Sequence, residues 1–254
     1  MNNLLAYSLA TAAALVASIV SGTAGFGGAI LLLPALTALF GVEKALPLLA
    51  LAQLVGNTSR ALFGLKEIYW RAVLYFIAGA APLAVLATLL LTSIPISYAR
   101  TVAAAVILVV TVLEVGTVFS CLPRFLERLN PAPVPGLWLA GAGMLTGFIS
   151  GIAGSTGPLP NAFFLRLQLA PAAYVTTDAA ALGMVHATKL AAFGLDGTWS
   201  LPAWQLSSLI VAAMVVGTWF GRRVLGRVEA VQYRRWVALW MLVVAFSMFC
   251  APSE

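Results

Sequence analysis

Charge is what this chain has least of. Asp, Glu, Lys and Arg together make up 9% of its residues, against roughly 25% in an ordinary soluble domain. Histidine occurs once, at His186, and cysteine twice, at Cys121 and Cys250. Two cysteines without CxxC spacing exclude a disulfide scaffold and a cysteine-based metal centre. A lone histidine with no second ligand cluster, in a chain lacking a GxSxG motif, argues against metallohydrolase or serine-hydrolase chemistry. No metal site and no cofactor is expected. Nor does any Lys or Arg precede Lys44. The apolar run Leu4 to Val20 therefore lacks the basic region of a signal peptide and reads as the first span of the mature protein. The net charge of +6 comes from cations scattered between apolar blocks, a loop-anchor pattern that gives no reason to expect nucleic acid as a partner.

What the chain has instead is apolar residues, 62% of the total. Water is a poor solvent for such a surface, and each membrane span needs about 20 apolar residues. Apolar blocks fall at 4–21, 28–41, 45–64, 71–92 and 98–119, then at 137–150, 157–168, 174–194, 203–225 and 231–251. The blocks are continuously apolar rather than alternating, which excludes a transmembrane barrel and predicts helices. The proline-rich, polar stretch 120–136 reads as a linker. The expected fold is an all-α polytopic membrane protein in one integral membrane domain, with a first repeat over 1–119, a linker over 120–136 and a second repeat over 137–254.

The repeat is visible in residues 21–60 and 150–189, which align without a gap at an offset of 129. Ser21-Gly22-Thr23-Ala24-Gly25-Phe26-Gly27-Gly28 matches Ser150-Gly151-Ile152-Ala153-Gly154-Ser155-Thr156-Gly157, and Arg60 matches Lys189. Blocks 28–41 and 157–168 are short. If both span, each half has five helices, and the odd number makes the halves inverted. If both are re-entrant, the chain has eight spans plus two half-helices, with parallel halves. Loop charge arbitrates. Ten spans place Lys66, Arg71, Arg124, Arg128, Arg166, Arg222, Arg223, Arg227, Arg234 and Arg235 inside, and leave only Lys44 and Arg100 outside. Eight spans leave four cations outside. The inverted, ten-segment reading is favoured, with both termini outside.

Three features carry chemistry. Glycine breaks inside an apolar region expose backbone N–H groups, which with the helix dipole can hold an anion. Gly25, Gly27, Gly28, Gly154 and Gly157 are the candidates, with Ser155, Thr156, Thr23 and Asn161 adding donors. The plainer reading is small-residue helix packing. Arg60 and Lys189 are cations inside apolar helices, each three positions after a polar residue, Asn57 and His186, on the same helix face. A mid-membrane charge costs about 2.5–3.5 kcal/mol and needs a partner, which an anionic substrate supplies. The alternative is snorkelling to the interface from near a helix end. His186 reads either as a hydrogen-bonded helix residue or as a proton carrier near neutral pH. Asp178, near the expected start of a helix, fits an N-terminal cap. It also lies about 16 Å before Lys189 on a shared face, where it suits proton coupling. Glu114 carries the same two readings, proton relay or interfacial residue.

In order, spacing and duplication these motifs resemble the sulfite exporter TauE/SafE family. The residues concerned are Ser21 to Gly28 with Pro34, Asn57-Thr58-Ser59-Arg60 before Phe63-Gly64, Gly151 to Pro158, Thr177-Asp178-Ala179, and Lys189 before Gly194. The likeness covers about residues 5–250. The second copy departs from the first where Ser155 and Thr156 stand for Phe26 and Gly27. The resemblance implies secondary transport of small, mostly sulfur-containing anions such as sulfite, thiosulfate or sulfoacetate. It implies a multi-pass protein of the bacterial inner (plasma) membrane, probed best as an exporter working by alternating access. A passive anion channel and an intramembrane enzyme are the contrasting readings. A homodimer is compatible on general grounds only.

Overall fold

A computed structural model describes residues 3–26, 28–90, 105, 108–109, 112, 135–153, 159–195, 204–225 and 230–250. Gly27, Glu114, Gly154, Ser155, Thr156, Gly157 and most of the linker lie outside the described residues. The described residues form helices and no strand. In chain order these are α1 (Asn3–Ala24), α2 (Gly28–Phe40), α3 (Val42–Phe63), a 3-10 turn (Leu65–Glu67), α4 (Trp70–Leu90), α5 (Pro135–Ala153), α6 (Leu159–Leu165), α7 (Pro171–Leu195), α8 (Trp204–Leu225) and α9 (Ala230–Cys250).

Length and composition single out α1 (Leu4–Ala24) and α4 (Trp70–Leu90) as long and apolar enough to cross a membrane. At 1.5 Å per residue the 22 residues of α1 extend about 33 Å, enough for a hydrocarbon layer of about 30 Å. The 13 residues of α2 reach only about 20 Å and the 7 of α6 about 10 Å. Large apolar side chains face outward along α1, α4, α8 and α9, among them Leu4, Leu9, Leu74, Leu86, Val216, Phe220, Trp236 and Val243. A surface of this kind is stable only against lipid or another apolar partner.

The helices sort into two cores. The first joins α1, α2, α3 and α8 through Ala10, Ala14, Ala17, Leu32, Leu36, Leu48, Leu206, Ile210 and Met214. The second joins α4, α5, α6, α7 and α9 through Phe76, Ala80, Leu139, Phe164, Val175, Val185 and Val237. Neither core is a sequence half, because α4 and α8 have changed places. A smaller apolar seam of Leu46, Ala50, Leu190 and Phe193 joins α3 to α7 across the two cores.

Helix direction follows from the close contacts. A Cβ on Gly22 would lie 3.1 Å from Gly221 Cα, and Ser18 Oγ donates to Ala213 O at 3.1 Å, so α1 and α8 run parallel. Gly79 abuts Ala140, Gly143 abuts Phe76, and Gly151 lies against Ala87 and Thr88, so α4 and α5 also run parallel. Glycine is required along this seam because a methyl group at Gly143 would meet the Phe76 carbonyl. Between α3 and α7 the order reverses. Gly64 meets Thr176 and Asn57 meets Gly183, while Ala50 and Leu46 cluster with Leu190 and Phe193. These two helices are antiparallel.

Within the first half, the start of α2 packs on Ala17 and Ser21 of α1, while Phe40 at its end meets Tyr7 with ring centroids 6.5 Å apart. So α2 turns back beside α1, and Gly41 at φ +78 reverses the chain into α3. In the second half, Phe163 in α6 stacks edge-on against Trp138 near the start of α5, at 5.3 Å. Thus α6 runs back along α5 as α2 runs back along α1.

Candidate functional site

The site lies where α3 crosses α7, between the two cores. On α3, Gln53, Asn57 and Arg60 stand at i, i+4 and i+7 and form one buried polar stripe. On α7, Tyr174, Asp178, His186 and Lys189 are buried. Arg60 is 4% exposed and Lys189 1%. The snorkelling alternative is therefore corrected: both cations turn into the protein, because each finds oxygen partners there.

Arg60 reaches back to the first glycine break. One of its terminal nitrogens donates to Ser21 O at 2.7 Å and to Gly25 O, and the other donates to Asn57 Oδ1. Lys189 Nζ donates to Ser150 Oγ at 3.2 Å. Ser21 and Ser150 are the paired residues that open the two motifs, so each cation grips the matching serine of its own half. Sequence reasoning quoted both serines without assigning them this part. The fixed spacing of 39 residues in both copies was the available signal.

At the break itself Gly25 adopts φ +88, a backbone state that favours glycine. Its N–H is spent on Ser21 O at 2.9 Å, and its carbonyl turns to Arg60. The first break thus presents oxygen to a cation where an N–H cradle was expected. A Cβ on Gly25 would lie 3.2 Å from Asn161 Oδ1 and 3.3 Å from Tyr174, so α6 and α7 close over it. Gly28 opens α2 against Ala17 and Ser21. Thr23 does not aim its hydroxyl inward: that group bonds to Val20 O at 2.8 Å within its own helix.

Asp178 is fully buried and is the eighth residue of α7, which begins at Pro171. The capping reading is therefore corrected. Thr176 also bonds backward, to Ala172 O at 2.8 Å. Asp178 lies within electrostatic reach of Arg60, and Tyr174 and Tyr233 share that neighbourhood. Tyr174 OH donates to Asn161 Oδ1 at 2.7 Å, and Tyr233 OH donates to Thr23 O at 3.2 Å. Sequence reasoning missed both tyrosines and Gln53. Gln53 and Tyr174 each stand four positions before a polar residue of the site, Asn57 and Asp178, which was the signal; Tyr233, on α9, had none. His186, further along α7, lies near Lys189 and Arg60.

Several buried polar atoms have no hydrogen-bond partner among the described residues: Gln53 Nε2, Asn57 Nδ2, Arg60 Nε and Asn161 Nδ2 on the donor side, and Asp178 Oδ1 and Oδ2 on the acceptor side. Each such orphan costs about 1–3 kcal/mol. Hydroxyls without a partner among the described residues also occur away from the crossing, at Thr37, Thr88, Thr146 and Thr218, but the amide, guanidinium and carboxylate groups named here share the crossing. Among the described residues no cluster of three or more His, Cys, Asp or Glu could hold a metal.

Among the described residues the body is helical, with large apolar side chains outward and a buried polar crossing that holds two cations, the arrangement expected of a membrane permease. Residues 10–248 match the family described as Sulfite exporter TauE/SafE. The chain belongs to that family of membrane permeases. No curated protein and no solved structure matches it.

Proposed function

We propose that this protein is a secondary carrier of a small sulfur-containing oxyanion, sulfite or a related organosulfur acid. In this reading it works as an exporter by alternating access in the inner membrane of a bacterial cell. The observation that carries the reading is the set of buried N–H donors without acceptors, Asn57 Nδ2, Arg60 Nε and Asn161 Nδ2, gathered beside a guanidinium. An oxyanion has several acceptor oxygens and one or two negative charges, and satisfies these groups together. His186 and Lys189 offer the matching ground on the other side of the crossing.

Inverted halves are supported by helix direction. Under the 129-residue offset α1 corresponds to α5, α3 to α7 and α4 to α8. The seams α1–α8 and α4–α5 are then one seam seen twice, and antiparallel α3 and α7 straddle a pseudo-two-fold axis near Val55 and Met184. In such transporters the substrate sits at the repeat interface and access alternates by movement about it. The return of α2 to the level of Tyr7 supports counting that segment as a crossing, hence ten segments.

The test is a flux assay in proteoliposomes with sulfite, thiosulfate, sulfoacetate and a plain carboxylate as probes. Arg60→Ala and Lys189→Ala, each checked for monodisperse elution, are expected to abolish flux. Near wild-type transport by both variants sinks the assignment of the site. Flux that never accumulates an anion uphill under any imposed gradient supports a passive channel instead.

A further inference from the structure

Two groups at the crossing are complementary and unsatisfied at once. Arg60 uses one terminal nitrogen on Ser21 and Gly25 and the other on Asn57, and its Nε lacks an acceptor among the described residues. Asp178 is buried with both carboxylate oxygens unpartnered among those residues. The antiparallel register puts them at one depth. Gly64 meets Thr176 and Asn57 meets Gly183, so Asp178 stands opposite the last turn of α3, which carries Arg60. An ionised carboxylate without hydrogen bonds is among the costliest groups to bury, and it must pair or take up a proton.

Building on the carrier reading above, we propose that Asp178 is its coupling acid. In the empty carrier the carboxylate is ionised and serves as counter-ion to Arg60. When the oxyanion docks on the free edge of the guanidinium, the carboxylate is displaced and takes up one proton. For a monoanion one negative charge arrives and one is neutralised, so the buried cluster keeps its charge, whereas a dianion leaves it one unit more negative. Anion and proton then cross together, in the direction their combined gradients set. The groups around Asp178 support this assignment. Arg60 on α3 is within electrostatic range without a direct ion pair, Tyr174 lies one turn earlier on α7, and Tyr233 comes from α9. Asn161 on α6 is neutral. The described residues of α1 carry no charge, the single cation of α4, Arg71, is exposed, and Arg222 of α8, which closes on Gly64 beside Thr176, is paired with Glu67 at 3.3 Å. His186 and Lys189 lie two to three turns further along α7. The first half has no matching acid, since Leu49 on α3 occupies the position 129 residues before Asp178. One proton site therefore serves the pair of cations.

The experiment uses the full chain in proteoliposomes with radiolabelled sulfite, thiosulfate and sulfoacetate. Wild type is expected to accumulate its anion when the side of uptake is acidic, with apparent affinity weakening as pH rises and the carboxylate competes. Asp178→Asn resembles the protonated acid permanently. It is expected to keep anion exchange, with affinity flat across pH, and to lose gradient-driven accumulation to the protein-free background. Asp178→Glu is expected to restore accumulation. Accumulation that persists in Asp178→Asn overturns the proposal. So does loss of both exchange and accumulation in a folded Asp178→Asn, or wild-type flux indifferent to a pH gradient. Absence of any anion flux in wild type overturns the carrier reading itself.

Discussion

Two glycines on α5, two residues apart, should respond oppositely to the same change. Gly141 is exposed, with no atom within 4 Å of a would-be Cβ. Gly143 is buried, and its would-be Cβ runs into the Phe76 carbonyl and approaches Ala80 N at 3.1 Å. In a helix interior, Gly→Ala gains about 0.8–1 kcal/mol through reduced backbone entropy and better propensity. Gly141→Ala should realise that gain. At Gly143 the same gain is set against overpacking, which costs about 1–3 kcal/mol and often more when nothing can rotate away. The obstacle here is backbone, so the helices themselves must separate, and the upper part of that range applies. The gain is common to both, so the two variants should differ by the overpacking cost alone, about 2–3 kcal/mol, or about 4–12 °C in melting temperature for a chain of this size. Scanning fluorimetry of both proteins in one detergent reads the difference. Equal shifts, or a stabilised Gly143→Ala, would refute the parallel, glycine-lined packing of α4 on α5.

Other consequences are open to direct measurement. Tyr174→Phe removes the hydrogen bond to Asn161 Oδ1 and should lower stability by about 1 kcal/mol, while weakening anion affinity because Asn161 loses its orientation; unchanged affinity would place Asn161 outside the site. Lys44 and Lys66 are exposed near opposite ends of α3. In a background with Cys121 and Cys250 replaced by serine, cysteines at these positions should label from opposite faces of the membrane. Labelling from one face would remove α3 from the list of spans.

The glycine breaks were legible because repetition marked them. α1 ends at Ala24 and α5 at Ala153, while α3 begins at Val42 and α7 at Pro171, both pairs 129 residues apart. The cation pair was legible for the same reason. The start of α7 was misjudged because Tyr174 seemed to open the apolar block. Pro171, a residue suited to the first helical position, was the better marker. That error produced the capping role for Asp178. The exchange of α4 and α8 between cores was not legible at all. A repeat states which segments are alike, and contacts between residues 18 and 213 depend on how the two copies approach each other. Nor could spacing reveal that Gly25 would turn its carbonyl rather than its N–H to Arg60, since that depends on one backbone torsion.

The exchanged helices set a timetable for biosynthesis. The seam between α4 and α5 can close once residue 153 has left the ribosome, but α1 must wait for α8, roughly 200 residues behind it. At about 5–20 residues per second that wait lasts roughly 10–40 s. During this time α1 has inserted while the face it will give to α8 is still turned to lipid or to the insertion machinery. Ser18, on that face, has a partner to wait with: its hydroxyl donates to Leu15 O at 2.9 Å within its own helix and need only share that bond when Ala213 arrives. A chain arrested before α8 would leave the first core open, making late truncations targets for membrane quality control even though most of the buried polar crossing has already been made.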